Sequence, residues 1–311
     1  MLKKVTCLEE EKILYEYFKK ISPEIPTYFP IDFDTWRESM FNDSDDYGPW
    51  FYELETYMLY EENILKGFIQ YGLTNFIFVD TNNAYSELDY TKHYALIRNM
   101  HYAKDSKNPE ELMEAALNYF KENESKFVYP TEKPAWHLNE ITAYFHGFGM
   151  QCYARHTKLH ESQFYIEELL DKYSFINNEK NVYFLKDLGN CDIYNDSEIT
   201  CEIELVSSFE FIPNSSGMKV KFILGGEEVG DCSLAAVQET IYYLVWFGIH
   251  EQYQKRGIGA RCLNNIFYML KEKNVQKFAT DTYADNFAAQ ALYTKTGFIN
   301  KGITKSYAKR M

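Results

Sequence analysis

No two of the six cysteines stand in a C-x-x-C pair; Cys7, Cys152, Cys191, Cys201, Cys232 and Cys262 are scattered over 311 residues. That spacing offers neither a zinc ribbon nor a dithiol redox motif, and it predicts reduced, mostly buried thiols in a reducing compartment. Long apolar runs are missing too, and no stretch approaches the roughly 20 residues of a membrane-spanning helix. The opening residues Met1 to Cys7 lead into Glu9-Glu10-Glu11 without the apolar region of a secretory signal, so a cytoplasmic protein is expected. Positive charge is also in short supply. Thirty-two Lys and Arg against 46 Asp and Glu leave a net charge of −14, which argues against nucleic acid as a partner.

Two motifs that begin like metal sites do not finish as one. Asp43-Ser44-Asp45-Asp46-Tyr47-Gly48 opens like a calcium loop, but Tyr47 stands at its fifth position and Leu54 at its twelfth, where Glu is required. His156 and His160 are four apart in a strand-like run, where that spacing does not put two ligands on one helical face. No metal is expected. What the chain does have is apolar mass: 46% hydrophobic and 17% aromatic residues exclude disorder. Its length favours two domains over one core.

The most informative stretch is Gln254-Lys255-Arg256-Gly257-Ile258-Gly259. An apolar run, residues 241–249, precedes it and reads as a buried strand. Residues 260–273, beginning at Ala260, read as an amphipathic helix with Cys262, Leu263, Ile266, Phe267 and Leu270 on one face. Two glycines let consecutive amide N–H groups approach an anion, and the helix N-terminus behind them adds unsatisfied donors and a positive dipole end. Lys255, Arg256 and Arg261 form a local basic patch in an otherwise acidic chain. Further on, Asp285-Asn286 can cap a helix over residues 287–296, and Gly297 ends it. Asn286, Ala289 and Tyr293 share one face of that helix.

Gln254-x-x-Gly257-x-Gly259 followed by Asn286-x-x-Ala289-x-x-Leu292-Tyr293-x-x-x-Gly297-Phe298 resembles the GNAT N-acetyltransferase superfamily. The resemblance runs from the hairpin near Lys219 to the last strand. It implies that Gln254, Lys255, Arg256, Gly257, Ile258, Gly259 and Ala260 hold the pyrophosphate of acetyl-CoA through backbone amides. It further implies that Phe247, Gly248 and Ile249 take the pantetheine arm like an added strand. Asn286 would touch the same arm, and Tyr293 would face the thioester sulfur.

Earlier in the chain the same plan recurs without the chemistry. Helices are expected over 9–21, 34–41, 109–122 and 138–145. Strands are expected over 56–60, 64–71, 93–100, 126–129 and 151–159. The loop Lys104 to Glu111 lacks both glycines and carries Glu110 and Glu111 where an anion would sit. The expected architecture is therefore α/β (α+β): two GNAT-like domains, each a mixed, mostly antiparallel twisted sheet flanked by helices. Residues 1–160 would be a degenerate copy without a phosphate loop, and residues 161–311 the acetyl-CoA-binding domain. A helix over 161–176 would link the halves or open the second domain, whose sequence is short of the two helices usual after the family's first strand.

The chemistry implied is direct attack of a primary amine, on a small molecule or a peptide N-terminus, on the thioester. Tyr293 is the candidate acid for the leaving thiolate, since a phenol is matched to it in pKa. Two carboxylates compete as base: Asp281, at the end of a strand over 277–280, and Glu239, which shares strand parity with Tyr243, Phe247 and Ile249. A water-relayed proton is the third possibility, because Tyr243 stands where certain family members carry a carboxylate. A non-catalytic acyl-CoA-binding sensor remains open beside the enzyme.

Overall fold

A computed structural model describes residues 1–41, 44–45, 48–49, 51–74, 94–123, 140–143, 158–189, 193–206 and 216–310. The strand expected over 126–129, and most of that over 151–159 with His156, lie outside the described residues. The chain divides into two compact units. One comprises Met1–Phe148, Thr157–Glu179 and Lys305–Met311; the other is built mainly from Lys180–Thr304.

The first unit opens with β1 (Leu2–Lys4), α1 (Leu8–Ile21), α2 (Phe33–Phe41) and the small pair β2 (Ser44–Asp45) and β3 (Gly48–Pro49). Then come β4 (Phe51–Glu61), β5 (Ile64–Thr74), β6 (Tyr94–Tyr102), α3 (Glu110–Glu122), β7 (Glu140–Ala143), β8 (Leu159–His160) and α4 (Phe164–Lys172). β1, β4, β5 and β6 pair antiparallel, and β7 joins β6 in parallel at Leu96↔Thr142 and Ile97↔Ala143. Glu62 and Asn63 turn the β4–β5 hairpin with φ of 51° and 65°, the left-handed pair a tight two-residue turn requires. α1 is held at its start by Glu10, whose carboxylate accepts from Thr6 N at 2.6 Å and Thr6 Oγ1 at 3.0 Å.

Strand alternation sorts the apolar residues onto two faces. Met58 and Phe68 meet Leu14, Phe18 and Trp36 from α1 and α2. Leu59 and Ile69 meet Leu112, Met113 and Phe120 of α3, with Ile166, Leu169 and Leu170 of α4. α4 is shorter than the helix expected over 161–176, and it completes the core of this first unit rather than opening the second. Residues 140–143, expected to be helical, form β7: parallel pairing with β6 overrides a local preference that was weak around Ile141 and Thr142.

The second unit contains most of β9 (Ile176–Asp187), which begins in the first, then β10 (Ile199–Val206), β11 (Gly217–Leu224), β12 (Glu227–Gln238), β13 (Ile241–Ile249), α5 (Ile258–Glu272), β14 (Lys277–Tyr283), α6 (Phe287–Lys295) and the start of β15 (Ile299–Arg310). The strand order is β9-β14-β13-β12-β11-β10, antiparallel except where α5 carries the chain across from β13 to parallel β14. Among the described residues no helix lies between β9 and β10. Cys262, Leu263, Ile266, Phe267 and Leu270 of α5 are buried on Val220, Leu244 and Phe278. β15 starts in this unit and ends in the first, where Tyr307 to Arg310 run antiparallel to Ala143 to Glu140.

Candidate active site

β13 and β14 pair only at Ile241↔Lys277, Tyr242↔Phe278 and Tyr243↔Ala279. Beyond that point they diverge, while β13 stays paired to β12 as far as Ile249↔Gly230. Past Leu244, whose carbonyl accepts from Thr280 Oγ1 at 3.2 Å, the other edge of β13 as far as Ile249 has no strand partner among the described residues, the kind of surface to which an extended ligand adds. The register shift at Ser233/Leu234 leaves Val245 as an extra residue, a bulge within this open stretch.

The bulge corrects the parity argument made for Glu239. Phe247 and Ile249 pack with the α5 core, on the side of Tyr242 and Leu244, not on that of Tyr243. Glu239 itself is exposed in the β12–β13 turn, at the far end of β13 from residues 254–259, and is not brought together with the other candidates.

At the near end, Gln254 Nε2 donates to Ile249 O at 2.8 Å and ties the loop to the strand. Lys255 and Gly257 take positive φ, 58° and 78°. This turns the chain so that α5 starts at Ile258, its first backbone bond running from Arg261 N to Gly257 O at 3.3 Å. The amides of Ile258, Gly259 and Ala260 precede that bond and have no acceptor within the helix. A Cβ built on Gly257 would point into open space, so the left-handed φ, not crowding, selects glycine there. Lys255 and Arg256 are exposed beside the loop. Arg261 does not join them: its guanidinium binds Asp196 at 2.5 Å and 3.1 Å and Glu198 at 2.5 Å, so its charge is already answered.

α6 borders the opening. Asn286 caps it, its Oδ1 accepting from Ala289 N at 3.2 Å. Gly297, at φ 83°, ends it, with Phe298 N returning to Tyr293 O at 3.0 Å. Tyr293 is buried, with its ring 5.5 Å from that of Phe184 and 5.4 Å from that of Phe298. Burial pushes its phenol up to about 12; Asp281 adds to the rise and a hydrogen bond with Thr280 opposes it. Asp281 is half-exposed on β14 just past the divergence. Tyr243 Oη donates to its Oδ1, and Asn181 Nδ2 donates to its Oδ2 at 2.5 Å. The structure thus brings Asp281 and Tyr293 to the root of the opening and the glycine loop to its mouth. Asn181 escaped sequence reasoning, because only the β9–β14 register sets it beside Asp281. Cys262 is no nucleophile, since burial raises its thiol to about 12.

The profile of the acetyltransferase (GNAT) family matches residues 183–298. That match covers most of the second unit. No curated protein matches the chain. Among solved structures, a tandem GNAT protein from the clavulanic acid biosynthesis pathway superposes with a TM-score of 0.63 at 9% identity, covering 100% of this chain and 98% of that one. The GCN5-related glucosamine N-acetyltransferase region of a fungal multi-domain GH3 beta-N-acetylglucosaminidase gives a TM-score of 0.61 at 10% identity, covering 99% of this chain but only 38% of that one. A GCN5-related N-acetyltransferase from Sphaerobacter thermophilus gives 0.52 at 11% identity, with 83% and 80% covered. At such identities the likeness is one of fold: the chain folds like a tandem GNAT protein. Among the described residues there is no helix long and apolar enough to cross a membrane, and no cluster of potential metal ligands.

Proposed function

We propose that the second unit moves an acetyl group from acetyl-CoA to a primary amine by direct attack. The observation that carries this reading is the divergence of β13 from β14, with a positive-φ glycine loop at its mouth and a carboxylate–phenol pair at its root. Acetyl-CoA supplies a thioester carbon open to attack and a thiolate leaving group. The amides of residues 257–260 bind its pyrophosphate, and the open edge of residues 247–249 hydrogen-bonds its pantetheine arm. Asp281 takes a proton from the incoming ammonium, and Tyr293 gives its phenolic proton to the departing sulfur. The nitrogen, positive after attack, sheds a proton that restores the phenol. In net terms an ammonium and a thioester become an amide, a thiol and one proton released to solvent. Chain segments 1–160 and 161–311 divide the labour in this proposal, only the second taking cofactor.

One observation favours the alternative, an acyl-CoA-binding sensor. Both Asp281 oxygens already accept hydrogen bonds, from Tyr243 and Asn181, so the lone pairs a base would use are engaged. Acetyl-CoA turnover across a panel of small amines and peptide N-termini decides between them. Asp281→Asn should lower kcat/KM by about 10²–10⁴-fold with acetyl-CoA affinity nearly unchanged. Binding without turnover on any amine would leave the sensor.

A further inference from the structure

The strand–loop–helix of the first unit, β6 to α3, has the same chain order as β13 to α5, yet its donors are spent. Glu61, at the tip of the β4–β5 hairpin, lays one carboxylate oxygen against Ser106 Oγ at 2.8 Å, Lys107 N at 2.8 Å and Asn108 N at 2.9 Å. Those amides belong to the turn that leads into α3. Burial raises the Glu61 carboxyl, but the three donors together outweigh it and hold the group below its ordinary value. The rest of the helix end is answered as well. Glu111 N donates to Asn108 O at 3.2 Å, and Leu112 N to Pro109 O at 3.1 Å.

The edge of β6 is occupied too. His101 and Tyr102 are consecutive strand residues, so their side chains leave opposite faces of the sheet. Both nevertheless bond Tyr165: its hydroxyl meets His101 Nε2 at 3.0 Å, and its carbonyl accepts from Tyr102 Oη. A residue that touches both must lie on the strand's edge. The edge toward β5 is taken by Gly67 and Phe68, so Tyr165 sits on the other. The tautomer follows from the partners. Tyr17 Oη donates to Lys66 O at 3.0 Å, hence accepts from His101 Nδ1–H at 3.0 Å, and Nε2 is left to accept from Tyr165. Behind Tyr165, Ile166, Leu169 and Leu170 fill the core beside Met100 and Tyr102.

We infer that the first unit carries internal stand-ins for an anionic, extended ligand: the Glu61 carboxylate takes the place of its anion at the loop amides, and the start of α4 takes the place of its arm on the β6 edge. The unit is then closed to acyl-CoA by its own chain, and the loop is held as firmly as a bound anion would hold it. This inference stands on the first unit alone, whatever the second catalyses.

Residue-resolved hydrogen exchange of the full chain tests it, with and without acetyl-CoA. In Glu61→Ala, amides 107 and 108 should exchange about ten- to a hundredfold faster than in the wild type, the loss of a charge-assisted bond. Glu61→Gln keeps the acceptor oxygen without the charge and should fall between them. Acetyl-CoA should leave residues 103–112 and 158–172 unchanged in the wild-type protein. Unaltered exchange at 107 and 108 in either folded variant overturns the carboxylate's role, and acetyl-CoA protection of 103–112 overturns the closure. Protection of 254–261 reports separately on the cofactor reading, so a failure there leaves the first-unit result standing.

Discussion

Tyr293 carries the sharpest single-residue expectation. Its ring packs between Phe184 and Phe298, so Tyr293→Phe keeps the packing and removes only the hydroxyl. If that hydroxyl protonates the thiolate, kcat should fall by about 10²–10⁴-fold while acetyl-CoA affinity holds. The pH profile adds a sign. Burial and Asp281 stabilise the protonated phenol, so the alkaline limb of kcat/KM should lie nearer 12 than the ordinary phenol value of 10, and it should vanish in the variant. An active Phe variant with an unaltered profile would remove the residue from the reaction. Asp281 could be picked from the sequence as a strand-end carboxylate. Its two donors could not, because Tyr243 and Asn181 reach it across strands 38 and 100 residues distant.

At the scale of elements, the loop from Gln254 to Ala260 rests on one backbone choice. Gly257 at φ 78° makes the turn from which α5 starts. Gly257→Glu should abolish acetyl-CoA binding in calorimetry, because a carboxylate would enter the open space among the first amides of α5. The left-handed φ adds a stability cost of about 1–2 kcal/mol, small enough to leave the protein folded. Retained micromolar affinity in a folded variant would reduce the loop to a turn. Elements with strong local signals were legible: α5 has its amphipathic face, α6 its Asn286 cap and Gly297 stop, and the β11–β12 and β4–β5 hairpins their turns. β7 was not, since four residues acquire strand geometry from a partner rather than from their own pattern. The bulge at Val245 was equally silent, and it alone reversed the parity that had linked Glu239 to Phe247.

For the whole molecule, titration should give one acetyl-CoA per chain. The two units repeat a strand–loop–helix order, but the first meets its loop amides with Glu61, while the first amides of α5 have no acceptor within their helix. A stoichiometry of two would contradict this division. The chain also assigns its pieces to the units in a way its order conceals. α4 follows the first unit's last described strand yet completes that unit's core, and β15 closes the chain by returning to β7.

The sequence by itself determined what depends on neighbours a few residues apart: the glycine-bearing turn before an amphipathic helix, the cap and stop around Tyr293, the apolar alternation of the long strands, and the absence of any completed metal motif. These are local because helix periodicity, capping and positive φ are decided within a turn or two of chain. Only the tertiary structure decided which charges are free and which are spent. Arg261 proved to belong to Asp196 and Glu198, the amides before α3 to Glu61, and the Asp281 carboxylate to Tyr243 and Asn181. Such pairings join residues distant in sequence, and the strength of a charge at a site depends on what reaches it across that distance.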